Sequence, residues 1–406
     1  MIAVLRVWFA PLLLVLLVAC AAPAASVPTP TPPPPQGMPM PYPLEVPPGY
    51  RISLYAEGLE ELRSVTFHPD GTPFVTVMNR AIRGGGKVYA LPDADGDGIA
   101  DRLVEAAGGL DRPHGILFHE GQTYVSDAAN VYRLNDLNGD YTTESADVVV
   151  SGMPTTADHW SRPFLFDADG NLLVIIGSSC NACQEGDGRR ATLIRFDLAN
   201  GATTYEQSTI VATGLRSVVD LVYRPGTAEI YATNNARDFL GPDTPPDQLF
   251  RIEEGKHYGW PYCYGNLTVD QEVLANPDIV TPDGSPKDAF CATQVEPPAL
   301  LLPAHAAPLG LTFYDGAQFP AAMQGRLFIA YHGAFDRSND YGYRVVSIPY
   351  NEGRFGTPED FVSGFIFPDL SDWHGRPVDV AVAPDGSLFI TDDVNGYLFR
   401  VEYIGT

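Results

Sequence analysis

Six times along the chain an aromatic or apolar residue leads into a short polar turn with Gly, and then into a β-branched and aromatic run whose apolar positions partly alternate. The units are FHPDGTPFVTV from Phe67, FHEGQTYVSD from Phe118, FDADGNLLVII from Phe166, YRPGTAEIYAT from Tyr223, FYDGAQFP continuing to RLFIAYHG from Phe313, and VAPDGSLFITDD from Val382. Each reads as a hairpin between half-buried strands. Their spacing of roughly 50 to 90 residues suits four-stranded propeller blades with insertions in the fourth and fifth. A second marker keeps the same phase: Gly58-Leu59, Gly109-Leu110, Gly152-Met153, Gly214-Leu215 and Gly364-Phe365 each close a strand-like run. Helical periodicity of any length is absent. The pattern therefore predicts an all-β, six-bladed β-propeller of four-stranded antiparallel blades over residues 44–406. YRISLYAE from Tyr50 is expected to join SLFITDD and YLFRVEYI and so close the circle without a long free edge. A pair of β-sandwiches does not predict six turns in register.

The ends change the picture of where the protein works. VWFAPLLLVLLVAC from Val7 is too short for a stable span and reads as the apolar part of an export signal over residues 1–19. Leu17-Val18-Ala19-Cys20 resembles a bacterial lipobox, so Cys20 is expected to carry lipid; an ordinary signal peptide cut nearby is the alternative. Residues 20–43, rich in Pro, Ala and Thr, read as an extended tether. The expectation is an exported cell-envelope lipoprotein, held to a membrane through its lipid.

A net charge of −25 argues against nucleic acid and against a polybasic membrane surface. Beyond Cys20 four cysteines remain, and an even number in an exported chain implies disulfides, expected as Cys180 with Cys183 and Cys263 with Cys291. Zinc is the competing reading, weakened by the lack of a second CxxC.

Against that acidic background, basic residues recur between each Gly-Leu marker and the next turn, where a blade's innermost strand begins. They are Arg63, Arg112 and His114, His159 and Arg162, Arg216, His305, and Arg376. Cationic groups converging on one mouth repel unless an anion sits among them, so an anionic ligand is implied. For any single Arg, pairing with an acid such as Glu61, Asp111, Asp158 or Asp220 is the simpler reading.

Taken in order, RPHG, HWSRPFLFDADGNLLVIIGSSCNACQEGD, GLRS, NNARDFLGPDTPPDQLFRI with YGWPYCYG, AHAAPLGLTFY, YHGAFDRS, GYRVV and GRPVDVAVAPDGSLFITDD resemble the glucose and sorbosone dehydrogenase family, on the sorbosone and pyranose side. The resemblance covers nearly all of residues 44–406. It implies a six-bladed propeller that oxidises a sugar or sugar-derived aldehyde or alcohol by hydride transfer to pyrroloquinoline quinone, a tricarboxylate that suits a basic rim. It places His159 as general base and Arg216 near the reacting quinone oxygen. Arg112, His114, Arg237, His305, Arg337 and Arg376 fall among the positions expected to contact the cofactor. The backbone carbonyls of Ala236 and Arg237 would be ligands of a Ca2+ that polarises the quinone. The chain departs from the family in three places: GLRN is GLRS with Ser217, HGSWNR is His332-Gly333-Ala334-Phe335-Asp336-Arg337, and NGRD is Asn235-Ala236-Arg237-Asp238.

On chemistry alone, His159 with an ordinary pKa near ~6.5 accepts a proton at neutral pH, and Asp158 or a backbone carbonyl would fix its tautomer. The oxygens of Asp93, Asp95, Asp97 and Asp101 with the carbonyl of Ile99 read as a structural calcium loop, although the Glu of an EF-hand is missing. DLNGDYTTESAD from Asp136 is a weaker version. CxxCH is absent, Cys183 being followed by Gln184, so electrons would leave to a separate acceptor, a cytochrome or a quinone. Two other classes stay open: a non-enzymatic propeller lipoprotein that binds a carbohydrate or protein partner, and a Ca2+-dependent lactonase, which needs axial carboxylates where this rim is basic.

Overall fold

Six four-stranded antiparallel sheets carry the chain, each containing one of the six turn units between its first and second strands. A computed structural model describes residues 37–136, 138–156, 159–334 and 341–405; Cys20, Asp158 and Arg337 lie outside the described residues. The inner strands, in chain order, are Leu62–Phe67, Ile116–His119, Phe164–Phe166, Val218–Tyr223, Pro308–Phe313 and Pro377–Val382. The last blade is completed by the first strand of the chain, Tyr50–Ala56, which pairs antiparallel with Tyr397–Tyr403 from Tyr50 opposite Tyr403 onward. The predicted closure is thus present, and a pair of sandwiches is excluded.

Sheet stacking explains why the apolar alternation was only partial. Second strands such as Leu172–Ile176, Ile230–Asn234 and Leu327–Tyr331 are buried along their whole length, because a blade covers both of their faces. One apolar cluster fills each gap between neighbouring blades. Phe74, Val88, Val125 and Leu134 fill the first gap, for example, and Leu173, Leu193, Leu221 and Phe250 the third. A small separate cluster, Val219, Leu309 and Val378, comes from the inner strands of the last three blades.

The long fourth interval holds an insertion between Pro246–Ile252 and Leu300–Ala304, with helices Gln271–Ala275 and Lys287–Thr293. The Cys263–Cys291 disulfide staples it, and Cys180–Cys183 closes a four-residue loop. Both pairings are those expected, and zinc loses its ligands. The predicted tether ends earlier than its Pro content suggested. Met38, Met40 and Tyr42 pack against the core of the last blades, Met38 bridges Leu54, and Tyr42 stacks on His374 and donates to Asp392 Oδ2 at 2.9 Å. These three large side chains supply the burial that the surrounding prolines lack.

Candidate functional site

At the end of the propeller where the inner strands begin, a cavity of about 590 Å3 opens on the axis. Arg63, His159, Arg216, His305 and Arg376 line it, from the first, third, fourth, fifth and sixth blades, and Leu309 of the axial cluster forms part of its floor. The sequence marked these five, but not Arg80, Asp238, Phe239 and Asp247, which also reach the cavity. Four arginines thus face two aspartates, inverting the acidic balance of the chain as a whole.

The backbone under these residues is tied from blade to blade. Thr76 Oγ1 donates to the carbonyl of His114 at 2.9 Å, Ser126 Oγ to that of Arg162 at 2.6 Å, Thr233 Oγ1 to that of Leu309 at 2.6 Å and Thr391 Oγ1 to that of Arg63 at 2.7 Å. Each is a second-strand hydroxyl holding the start of the next blade, so the rim is positioned by the stacking itself.

Among the described residues the second blade contributes nothing to the cavity lining, which corrects the expectation of six equivalent bases. Arg112 turns to Asp111 at 3.0 Å and to the carbonyl of Thr155, and lies over Trp160. His114 is buried, with Nε2 bonded to Val219 O at 2.8 Å. Burial and the neighbouring Arg63 push its pKa down to about 3. Arg162 is fully buried and donates to the carbonyls of His159, Ser161 and Pro154; burial lowers its pKa to about 9. Arg237 points away from the cavity as well, pairing with Asp270 at 2.7 Å and Glu272 at 2.6 Å. A guanidinium finds its nearest carboxylate locally, and strand periodicity does not say where that carboxylate lies.

His159 is the most constrained of the lining groups. Its Nδ1 lies 2.8 Å from Ser178 Oγ and 3.1 Å from Ser178 O, and Ser178 Oγ itself donates to Cys180 O at 2.8 Å. The carbonyl only accepts and the hydroxyl proton is already placed, so Nδ1 carries the hydrogen and Nε2 keeps its lone pair. The ring backs onto Gly177, where any Cβ would lie 2.5 Å from that of His159. Burial first, then the charge of Arg216, lowers its pKa to about 3.

Arg216 spends its donors within the protein: Nε to Asn181 O, Nη1 to the carbonyls of Asn235 and Ala236, Nη2 to Asn181 Oδ1 and to Asp238 Oδ2. A guanidinium has five N–H bonds, and all five are engaged. What it presents to the cavity is its charge and not a free N–H. Arg376 is different: Nε and Nη2 donate to the carbonyls of His332 and Gly333, and Nη1 has no partner among the described residues. Asp393 anchors the opposite wall, accepting from Arg63 Nη1 at 3.0 Å and from His332 Nε2 at 3.0 Å. Against the opposing effect of burial, the hydrogen bond from His332 and the charges of Arg63 and Arg376 hold its carboxyl well below the ordinary range.

His305 carries a backbone signature of its own. The five glycines of the recurrent marker have φ between 76° and 94°, and the sixth equivalent position, ahead of buried Ala306, is His305 with φ 58°. Left-handed backbone costs a side-chain-bearing residue about 1 kcal/mol or more. The blade accepts a histidine where the others use Gly, and its Nε2 bonds to Gly241 O at 2.8 Å.

The metal expectations fare unevenly. The carbonyl of Ala236 already receives Arg216 Nη1 at 2.8 Å, and the carboxylate of Asp247 is capped by the N–H groups of Ala236 and Ala307. Among the described residues no group of three His, Cys, Asp or Glu side chains converges in the cavity as metal ligands would. Asp93, Asp95 and Asp97 do gather their carboxylates, as do Asp136, Asp140 and Glu144. Asp101 lies outside the first carboxylate group and accepts from Ala94 N at 2.7 Å, while Ile99, whose carbonyl was the expected ligand, donates its N–H to Asp97 Oδ1 at 2.9 Å.

The architecture and this site define a six-bladed β-propeller with a cationic axial cavity. More particularly, a TrAA12-like family description matches residues 44–403, and the chain belongs to that family. It is 28% identical to an uncharacterized protein of Borreliella burgdorferi over 89% of this chain and 91% of the other. It is 25% identical to the pyrroloquinoline quinone-dependent pyranose dehydrogenase of Coprinopsis cinerea, covering 88% of this chain but 54% of that protein. The fold matches a Trichoderma reesei protein of Carbohydrate-Active Enzymes Family AA12 with TM-score 0.73 at 23% identity, covering 91% of this chain and 100% of that one. It matches the holo form of the PQQ domain of the Coprinopsis cinerea pyranose dehydrogenase with TM-score 0.71 at 22% identity, covering 91% and 99%.

Proposed function

We propose that the protein is a quinoprotein oxidoreductase that oxidises a sugar, with pyrroloquinoline quinone held in the axial cavity. The reading is carried by one observation: a cavity lined by four arginines and two aspartates beside a histidine whose Nδ1–H is fixed and whose Nε2 has no partner among the described residues. The family membership and the names of its relatives point the same way. A tricarboxylate suits the donor set, since Arg376 Nη1 is unpartnered among the described residues, and Arg63 and Arg80, which share Asp393, also line the cavity. Arg376, Arg63 and His305 would hold it. When bound, the quinone supplies a two-electron acceptor for the sugar carbon.

The chain's own residues do the rest. His159 Nε2 takes the proton of the sugar hydroxyl, and Ser178 keeps the imidazole in the tautomer that can do so. Its low pKa in the free protein reflects burial and the charge of Arg216; an anionic ligand offsets that charge and raises its proton affinity. Arg216, clamped from behind, presents a fixed positive charge to negative charge developing in the cavity. Calcium enters as an addition to be tested by titration, and no step is assigned to it. A separate acceptor, a cytochrome or a quinone, would take the electrons onward. Export and a lipid at Cys20 would place the enzyme at the cell envelope.

Purified protein mixed with pyrroloquinoline quinone, with and without Ca2+, is expected to give a bound-quinone absorbance and aldose-driven dye reduction. His159→Gln should keep the absorbance and lose turnover by about 10²-fold or more. Sugar binding without quinone uptake would favour a non-enzymatic binding protein, and Ca2+-dependent ester cleavage a lactonase; either result defeats the reading.

A further inference from the structure

We propose that the disulfide-closed loop Cys180-Asn181-Ala182-Cys183 is the positioning element of the site, with Asn181 the residue that sets Arg216 and Cys180 O the group that sets His159. The proposal rests on the function given above for the roles of those two side chains, but its geometry does not.

Asn181 is a hub. Its Oδ1 accepts from Arg216 Nη2 at 2.7 Å and from the N–H of Asp238 at 2.8 Å, and its Nδ2 donates to Asp238 O at 3.1 Å. Its carbonyl accepts from Arg216 Nε at 3.1 Å and from Trp260 Nε1 at 3.0 Å. One residue therefore takes two of the five donors of Arg216 and also fixes Asp238, which takes a third at 3.0 Å. The neighbouring Cys180 carbonyl orders the other half of the site, because it takes the Ser178 hydroxyl proton and so obliges Ser178 Oγ to accept from His159 Nδ1. Both relays begin in consecutive residues of a loop with no regular secondary structure. The bond from Cys180 to Cys183 closes that loop covalently, beside the two hydrogen bonds that Ser179 donates to Glu185 at 2.6 and 2.7 Å.

The chemistry of release is simple. An external dithiol delivers two electrons and two protons, becomes a disulfide itself, and leaves Cys180 and Cys183 as thiols. The half-buried pair is more accessible than Cys263–Cys291, whose Cys291 is fully buried. Once the loop relaxes, Cys180 O no longer fixes the Ser178 proton. The hydroxyl then donates to His159 Nδ1 in competition with Ser178 O, which still accepts from Nδ1–H, so a larger fraction of the histidine carries its hydrogen on Nε2 and lacks the free lone pair. Arg216 loses its acceptors on that side and swings within the cavity; a misplacement of about 1 Å is enough to cost ~10²-fold in rate.

The test uses the whole chain in three forms: dithiol-treated, Cys180→Ser/Cys183→Ser, and Asn181→Leu with Asn181→Asp as the conservative partner. Nitrogen NMR of the His159 ring, identified by its loss in His159→Gln, reads the tautomer without quinone or sugar. Wild type is expected to hold Nδ1–H, and the reduced and double-serine forms to shift toward Nε2–H. Trp260 emission, with Trp260→Phe as control, should shift when its Asn181 partner is displaced. Asn181→Leu should lower kcat at least ~10-fold with a smaller change in KM and weaken quinone uptake, and Asn181→Asp, which keeps the acceptor toward Arg216, should restore both to within a few-fold. An unchanged His159 tautomer in the reduced and double-serine forms, or an Asn181→Leu variant with wild-type kcat, overturns the proposal. If the tautomer and the emission move while no quinone binds in any form, the positioning stands and the quinone reading fails.

Discussion

Replacing Asp393 with Asn removes the one carboxylate that Arg63 and His332 share. Arg63 is 5% exposed and the Asp393 side chain 7%, so water screens neither partner to any useful extent. Removing one partner of a buried ion pair costs about 3–5 kcal/mol, because the other charge stays behind unpaired. Asn keeps the shape and one accepting oxygen, so a loss near the lower end, ~3 kcal/mol, is expected. The pH dependence has a definite sign. The carboxyl is held below its ordinary value of 3.8 in the folded protein, so its stabilisation is fully present above about 3.8 and is lost as pH falls toward the depressed folded value. Equilibrium urea unfolding at pH 7 and at pH 3 reads both effects, and the cycle with Arg63→Met isolates the pair. Wild type should lose more stability on acidification than Asp393→Asn does. A loss below about 1 kcal/mol at pH 7, the size of an exposed pair, or the same acid sensitivity in both proteins, would refute the assignment.

Phe239 at the cavity mouth is 80% exposed with φ 72°, a conformation that disfavours a bulky side chain by about 1–2 kcal/mol. Phe239→Asn should raise the thermal midpoint, equivalent to about 1 kcal/mol, and a lower midpoint in calorimetry would show that the ring has contacts worth more than the strain. Asp379 and Asp220 meet on inner strands, where burial raises both; Asp379 titrates at about 7 and the pair repels when both are ionised. Both are raised above the ordinary 3.8 in the folded protein, so their stability contribution is present below about 3.8 and is lost as pH rises through the raised folded values; urea midpoints at pH 5 and 8 should differ less in Asp379→Asn than in wild type.

What the sequence determined by itself was the repeat. Six turns in phase with five Gly-Leu markers leave little freedom, because each hairpin must bury two faces and only a closed stack of like units does that for all six. The closing pair of terminal strands and both disulfides were legible for the same reason: local runs and cysteine number constrain them directly. The site was legible in part. Basic residues at blade starts had to lie on the axial rim, and Arg63, His159, Arg216, His305 and Arg376 do.

Only the tertiary structure decided which of those groups face the cavity and which are consumed by the protein. Arg112, His114, Arg162 and Arg237 carry the same signal and are engaged elsewhere, since a side chain's partner is set by distance across blades and not by position along a strand. Asp393 and His332 come from the last and fifth blades, and Asn181 from a loop after the third blade's second strand, so their joint effect on Arg63, Arg216 and His159 exists only after closure. His305 in place of the sixth marker glycine shows the two levels meeting. The repeat fixes the backbone conformation there, and the fold turns that conformation into an imidazole at the rim of the cavity.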